Sequence, residues 1–404
     1  MTAAPSTSAV SPGSDVRIVG LVAAAHFMSH FYQLVLPPIF PLLVGVFGVG
    51  YAELGLVLSV TYVVSGLMQT PAGILVDRLG PSRVLIGGLG IYSVSVFLSG
   101  LAGGVWWLVP LMAVAGFGNC VFHPADYAIM TARVRPQRLG RAFGAHTLAG
   151  NFGWVAAPVA MLALTQAFGW RAALMILGGA GGLFTLYLAS QASLLTGRPA
   201  AIRSAPPASR NLLVSAPILF CFAYFALLSA SQVGLQNFLP SAAMAAYSLS
   251  LEAANFMLTI FLFGSSIGTL FGAILADRIP RQEMTVAIGL SVTAALSLVL
   301  AFAVLPFSAL AAVAAAAGLG MGVTIPARDM LVRNAAPEGA TGRVFGFVYS
   351  GLDLGAAVTP FFIGQLLDRG MPRLVFAVAA GALFVAIASA VVVTKPGARR
   401  KQIA

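Results

Sequence analysis

Long stretches without a charged side chain constrain this chain more than any other feature. Between Arg83 and Asp126 there are 42 residues with no Asp, Glu, Lys or Arg; between Arg210 and Glu252 there are 41, and between Glu283 and Arg328 there are 44. A helix crosses the hydrocarbon of a bilayer in about 20 apolar residues. Each of these intervals therefore holds two spans, or one long span and a neutral loop. The intervals Glu53–Asp77, Glu252–Asp277 and Arg373–Lys395 leave 23, 24 and 21 uncharged residues and hold one span each. The runs are solidly apolar rather than alternating, which selects helices over a membrane barrel. Composition agrees, with 59% of the 404 residues hydrophobic and 8% charged. A soluble domain carries about 25% charged residues, and so apolar a chain is not disordered either. Cys120 and Cys221 are too few for a disulfide scaffold and lie inside apolar runs, so they read as reduced and structural.

The expectation is an all-α polytopic membrane protein with twelve transmembrane helices. Gly and Pro breaks place them at 17–47, 53–76, 82–102, 106–131, 141–167, 170–193, 211–240, 251–277, 283–304, 307–332, 342–367 and 372–394. Residues 1–16 are rich in Ser, Ala and Pro and read as a disordered N-terminus, not a signal peptide, because a basic n-region is missing. Residues 17–195 form one six-helix half and 211–394 the other, with 196–210 as linker and 395–404 as tail.

A formal charge of +11 invites a nucleic-acid reading. The basic residues instead sit in small groups at the ends of apolar runs, so no nucleic-acid partner is expected. Between spans, the odd-numbered loops hold only Arg171, Arg369 and Arg373, while the even loops and both ends hold nearly all the rest. That asymmetry places both termini in the cytoplasm of a multi-pass protein in a bacterial-type inner membrane.

The two halves repeat. Gly73-Ile-Leu-Val-Asp77-Arg78-Leu-Gly80-Pro-Ser-Arg83 follows helix 2, and Gly272-Ala-Ile-Leu-Ala-Asp277-Arg278-Ile-Pro-Arg281 follows helix 8. At an offset of 202, Pro124 matches Pro326, Arg141-Ala-Phe-Gly144 matches Arg343-Val-Phe-Gly346, and Arg171 matches Arg373. Asn151, Gly153 and Pro158 match Asp353, Gly355 and Pro360 at the same offset. General likeness among membrane sequences explains shared Leu and Ala, not shared Gly, Pro and charge. A parallel repeat of two six-helix halves is a transporter architecture.

The Gly-x-x-x-Asp-Arg-x-Gly-x-x-Arg loop resembles the signature loop of the major facilitator superfamily. That resemblance covers the chain after residue 16 and implies a monomer in which helices 1, 4, 7 and 10 line a central cavity. It also implies halves that rock about a midplane site. A narrower set resembles the fosmidomycin-resistance branch, which is linked to drug export. It comprises Ala25-His26-Phe-Met-Ser-His30 with Phe40-Pro41-Leu42-Leu43, Val121-Phe122-His123-Pro124, and Gly150-Asn151-Phe152-Gly153. The chain departs from that branch at His30 (typically acidic), at Ala125 (typically Glu, with Asp126 one residue later here) and at Ala128 (typically Arg).

Titratable groups at membrane depth are costly and usually functional. All four histidines, His26, His30, His123 and His146, fall in predicted spans of the first half. His26, His30 and Gln33 share a face of helix 1, as His123, Asp126, Tyr127 and Met130 share one of helix 4. Helix 7 offers Ser229, Gln232 and Gln236, and helix 10 offers Arg328 and Asp329. Each has a plainer reading: a lone histidine such as His146 can simply bond a neighbouring helix, and Asp126 can be a structural ion pair. The substrate and proton site is expected at His26, His30, Gln33, His123, Asp126, Tyr127, Gln232, Gln236, Arg328 and Asp329. His30, His123 and Asp126 are the expected proton carriers. Arg328 is expected to take an anionic group, or to pair with Asp126, its repeat equivalent, when the cytoplasmic side is shut.

Asp77 and Arg78 are expected to latch the halves, with Asp77 accepting from the helix 11 N-terminus. Asp277, Arg278, Arg141, Arg343 and Asp353 complete the expected gate. The sequence has no Walker loop, no metal-ligand motif and no nucleophile motif, so neither an enzyme nor a metal or other cofactor is expected. The function expected is proton-coupled efflux of a small drug or metabolite, anionic ones included, by alternating access. Uptake or exchange of a small organic anion is the alternative, and a membrane-embedded enzyme the remote one.

Overall fold

In the computed structural model the described residues are 12–196, 215–279, 281–335 and 341–394, without the side chains of 12–14, 277, 329, 332–335, 341–343, 345 and 391–394. The linker at 197–210, residues 1–11 and the tail at 395–404 lie outside them. All regular structure among the described residues is helical.

Among the described residues, eleven apolar stretches are long enough to span a membrane. The longest, Leu139–Ser190, turns at Gly169, whose φ of 80° and ψ of 156° leave helical space. Glycine adopts that conformation without a Cβ penalty. The stretch is therefore two spans, and the total is twelve. We label them α1 (Asp15–Phe47), α2 (Tyr51–Leu79), α3 (Pro81–Ser99), α4 (Val105–Arg133), α5 (139–168), α6 (170–190), α7 (Ala216–Tyr247), α8 (Leu251–Arg278), α9 (Gln282–Phe302), α10 (Phe307–Ala335), α11 (Thr341–Asp368) and α12 (Pro372–Thr394).

Two local departures from expectation have plain causes. The first helix starts at Pro12, inside the segment expected to be disordered. Proline suits a first helical turn, and buried Asp15 is held there by Arg135 Nε at 2.7 Å and Arg138 Nη1 at 3.7 Å. The first span is also not one helix. It breaks after Gln33 and passes through a 3-10 turn at Pro37–Ile39 before Phe40–Phe47. Two successive prolines lack the N–H groups that a continuous helix needs there.

The repeat seen in the sequence has matching structural roles. Arg171 Nη1 donates to the carbonyls of Ala102 (2.6 Å) and Gly100 (3.3 Å) beyond the end of α3. Arg373 Nη1 donates to the carbonyl of Ala301 (3.2 Å) in the last turn of α9. A cation there satisfies carbonyls that a helix end leaves free.

The halves meet along two seams, α2 on α11 and α5 on α8. Among the described residues, the close contacts along these seams run from mid-helix to the end of the molecule away from the chain termini, here called the far face. Asp368 accepts from the backbone N–H groups of Tyr51 (2.6 Å) and Ala52 (2.9 Å), so an α11 carboxylate caps the N-terminus of α2. In the other seam, Gln166 Nε2 donates to Glu252 Oε1 at 2.9 Å. Asn255 Nδ2 donates to the Pro38 carbonyl at 3.0 Å, and Phe40 lies against Phe238 at 5.7 Å between ring centroids. Toward the termini the seams reach Asn151 with Thr269 and Gly66 with Asp353. Two turns further on, Gly144, Gly73 and Gly346 have nothing within 4 Å of a Cβ placed on them. Among the described residues the two seams are thus closed at the far face and splayed toward the termini.

Candidate functional site

The polar centre of the first half is assembled by α1, α4 and α5. α5 approaches α1 where it carries glycine. A Cβ on Gly150 would lie 2.8 Å from His26 Cδ2, His26 Nε2 and His30 Cε1. With no side chain there, both imidazoles of α1 lie against the α5 backbone.

Asp126 on α4 is wholly buried, and His26 and His146 are 2% and 1% exposed. His146 Nε2 lies 2.9 Å from Asp126 Oδ2, and His26 Nδ1 lies 3.5 Å from the same oxygen. The His26 and His146 rings stack with centroids 3.7 Å apart and planes 19° from parallel. His30 and His123 flank His26 at centroid distances of 4.4 and 5.2 Å. His123 and Tyr127 are exposed while touching buried members of this group, so they form its rim.

A second set of bonds extends from α1. His30 stacks on Trp154 of α5 at 4.1 Å, and Trp154 Nε1 donates to Gln33 Oε1 at 3.1 Å. Asn119 Oδ1 accepts from Ser29 Oγ (2.8 Å) and Gln33 Nε2 (3.4 Å), while its Nδ2 donates to Ser65 Oγ of α2 (2.9 Å). Four helices are thereby cross-tied beside the imidazoles.

Chemically, one carboxylate and four imidazoles in one place are groups able to exchange protons. Stacked rings resist a double load, since two unit charges about 4 Å apart repel by about 4 kcal/mol at an effective dielectric of 20. His26 Nδ1, His30 Nδ1 and Asp126 Oδ1 are buried without a hydrogen-bond partner among the described residues. Such atoms call for an explanation, and exchange of a proton or a polar ligand group supplies one.

The sequence spacing carries no metal motif, yet the fold brings the ligand atoms of His26, Asp126 and His146 within 4.8 Å of one another. The stacking disfavours a shared ion. A metal about 2.1 Å from each nitrogen must lie in both ring planes, and these planes run nearly parallel, one above the other.

Of the expected site residues, His26, His30, Gln33, His123, Asp126 and Tyr127 come together. The described partners of Asp126 are His26 and His146, in its own half. The other expected residues lie in the second half. Arg328 sits over the Phe225 ring at 5.5 Å. Gln232 is half-buried and Gln236 buried, and the neighbouring Asn237 donates to Tyr62 Oη at 3.4 Å across the halves. Among the gate residues, Asp77, Arg78, Arg141 and Arg278 are exposed, and Asp353 is half-buried. The side chains of Asp277, Asp329 and Arg343 lie outside the described residues. His146, Asn119 and Trp154 were not among the expected site residues. Asn119 had a signal, since it precedes His123 by four residues and Asp126 by seven. The inward aim of His146 and Trp154 depends on how α5 is turned, which one helix's spacing does not fix.

The sequence profile of the Major Facilitator Superfamily matches residues 22–251 and 225–404. The fosmidomycin resistance protein of Escherichia coli (strain K12) is 24% identical over 94% of this chain and 93% of its own. The probable sulfoacetate transporter of Cupriavidus necator is 30% identical over 43% of this chain and 40% of its own. The probable L-galactonate transporter of Escherichia coli (strain K12) is 27% identical over 59% and 56%. Among solved structures, a bacterial homologue of the human lysosomal transporter Spinster, inward-facing and occupied, superposes with a TM-score of 0.78. It is 16% identical, covering 95% of this chain and 97% of its own. Twelve helical spans in two repeated halves, and a family profile that matches across both, make this chain a member of the Major Facilitator Superfamily, a family of transporters and not of enzymes.

Proposed function

We propose that this transporter exports a small organic anion in exchange for protons, by alternating access. The observation that carries the reading is the buried Asp126, bracketed by His146 at 2.9 Å and His26 at 3.5 Å. A buried ionised carboxylate is tolerated only when paired, so proton movement within this group changes what the first half binds. A charge moving down 100 mV delivers about 2.3 kcal/mol, which drives a step without ATP. His30, His123 and Tyr127 form the face of the group that a solute meets. Arg328 in the opposite half binds its anionic end, because a guanidinium stays charged and grips carboxylate or phosphate in a bidentate manner. Two relatives are named for sulfoacetate and L-galactonate, which are organic anions. Another is named for drug resistance, which favours export. The protein works as a monomer in a bacterial inner membrane with both termini cytoplasmic, as the basic residues of the even loops direct.

Flux of radiolabelled sulfoacetate, galactonate and fosmidomycin into inside-out proteoliposomes tests this. An acid interior should accelerate accumulation of at least one of them. If accumulation of an anion instead follows an acid exterior, the reading becomes uptake, which the cation at Arg328 equally supports. Indifference to the pH gradient removes proton coupling.

A further inference from the structure

The two seams differ at one repeat-related position, midway along them. In the α5–α8 seam, Asn151 Nδ2 donates to Thr269 Oγ1 at 3.4 Å, a neutral bond between the halves. The repeat equivalent of Asn151 is Asp353. In the α2–α11 seam Asp353 meets Gly66, which has no side chain to bond it. A Cβ on Gly66 would lie 3.0 Å from Asp353 Cβ, 3.1 Å from Cγ and 3.4 Å from Oδ2. Among the described residues, no hydrogen bond or ion pair reaches the Asp353 carboxylate. It stands where close approach ends and the halves begin to splay, in the middle of α11.

Resting on alternating access as proposed above, we infer that Asp353 is a proton-binding gate residue: protonated, it seals against Gly66 and closes the far face; ionised, it favours opening. The physical reason is solvation. A carboxylic acid can lie against the α2 backbone at modest cost, whereas an unpaired carboxylate in an apolar seam is expensive and draws water. A proton therefore binds the sealed form better than the wetted one, and that difference is what moves a two-state equilibrium. The carboxylate takes its proton from solution at the open far face and returns it there on reopening, so this step by itself moves no proton across the membrane. The packed elements carry other charged and titratable groups. On α2 they are Tyr51, Glu53, Tyr62, Asp77 and Arg78, of which Tyr62 lies one turn away and bonds Asn237. On α7 they are Cys221, Tyr224 and Tyr247; on α10, Arg328 over the Phe225 ring, Asp329 and Arg333. α12 has none between Arg373 and its last residue, and α11 itself adds Arg343, Tyr349 and Asp368. His26, His123, His146 and Asp126 belong to helices that do not form this seam.

The test is a distance measurement on the full chain in nanodiscs, without substrate. Leu101 and Val304 are exposed far-face residues on opposite halves, 58% and 87% accessible. With Cys120 and Cys221 replaced by Ala, Leu101→Cys and Val304→Cys carry spin labels. The label separation should lengthen from acid to alkaline buffer, with an open-to-closed ratio changing by up to about tenfold per pH unit, the limit for one linked proton. Asp353→Asn should hold the short separation throughout, and Asp353→Glu should keep the response at a shifted midpoint. Asp126→Asn should respond as the unsubstituted protein does. Retention of the full response in Asp353→Asn, or no response in the unsubstituted background, overturns the inference. A normal response in a protein whose flux ignores the pH gradient would instead sink the proton-coupled transport reading and leave this one standing.

Discussion

Asp126 and Gly150 carry the most pressure at the level of single residues. Removing the Asp126 side chain takes the hydrogen-bond partner from His146 and the neighbouring carboxylate from His26. Asp126→Ala should therefore destabilise the protein by about 3–5 kcal/mol, the usual cost of breaking a buried pair. Asp126→Asn keeps shape and one acceptor oxygen, so it should stay folded and lose the pH dependence of flux; thermal unfolding and flux measured side by side check this. Gly150→Ala adds a methyl 2.8 Å from both α1 imidazoles. We expect about 1–3 kcal/mol of destabilisation from overpacking and transport reduced more than stability, because the His26 and His30 imidazoles proposed to exchange protons are displaced. These residues also show what a sequence can reveal. His26, His30 and Gln33 were legible because helical spacing puts them on one face, and Asp126 because a carboxylate at membrane depth is rare. His146 belongs with them only through the rotation of α5, and the matching glycines that set that rotation read in sequence as a motif rather than as a contact surface.

Individual helices act mainly through their ends. Asp368 at the end of α11 accepts two N–H bonds from the start of α2, across the halves. It is a clasp on the closed far face. Asp368→Ala should cost about 1–2 kcal/mol of that closure, as loss of an N-cap does, shifting the population roughly 5- to 30-fold toward far-face opening. Far-face label separation reads this directly. Asp77, at the opposite end of α2, is exposed in this conformation. If it latches the termini side when that side shuts, Asp77→Asn should lower transport and leave unfolding temperature unchanged; unaltered flux removes the latch. The span count was readable from uncharged intervals, since apolar length is what the bilayer selects. The break after Gln33 was not, because Pro37 and Pro38 sit inside a run whose apolar length is ample for one helix.

For the whole molecule, closure at one face and splay at the other is what a carrier needs in one of its two states. The repeat explains how it is built twice. Arg171 and Arg373 bind helix-end carbonyls in their respective halves, and Asn151 and Asp353 stand at the limits of the two seams. The halves then differ in chemistry, with four histidines and Asp126 in the first and Arg328 in the second. Architecture was legible because it is written in apolar length, Gly, Pro and charge. The solute is not, because its contacts come from side chains on separate helices whose relative turning no local pattern records. The most direct test of the central claim is internal pH, followed with a trapped dye, in inside-out proteoliposomes given an anion the protein transports. The account predicts alkalinisation of the lumen as the anion enters, abolished by Asp126→Asn. Anion entry at the normal rate with no change in luminal pH would contradict it.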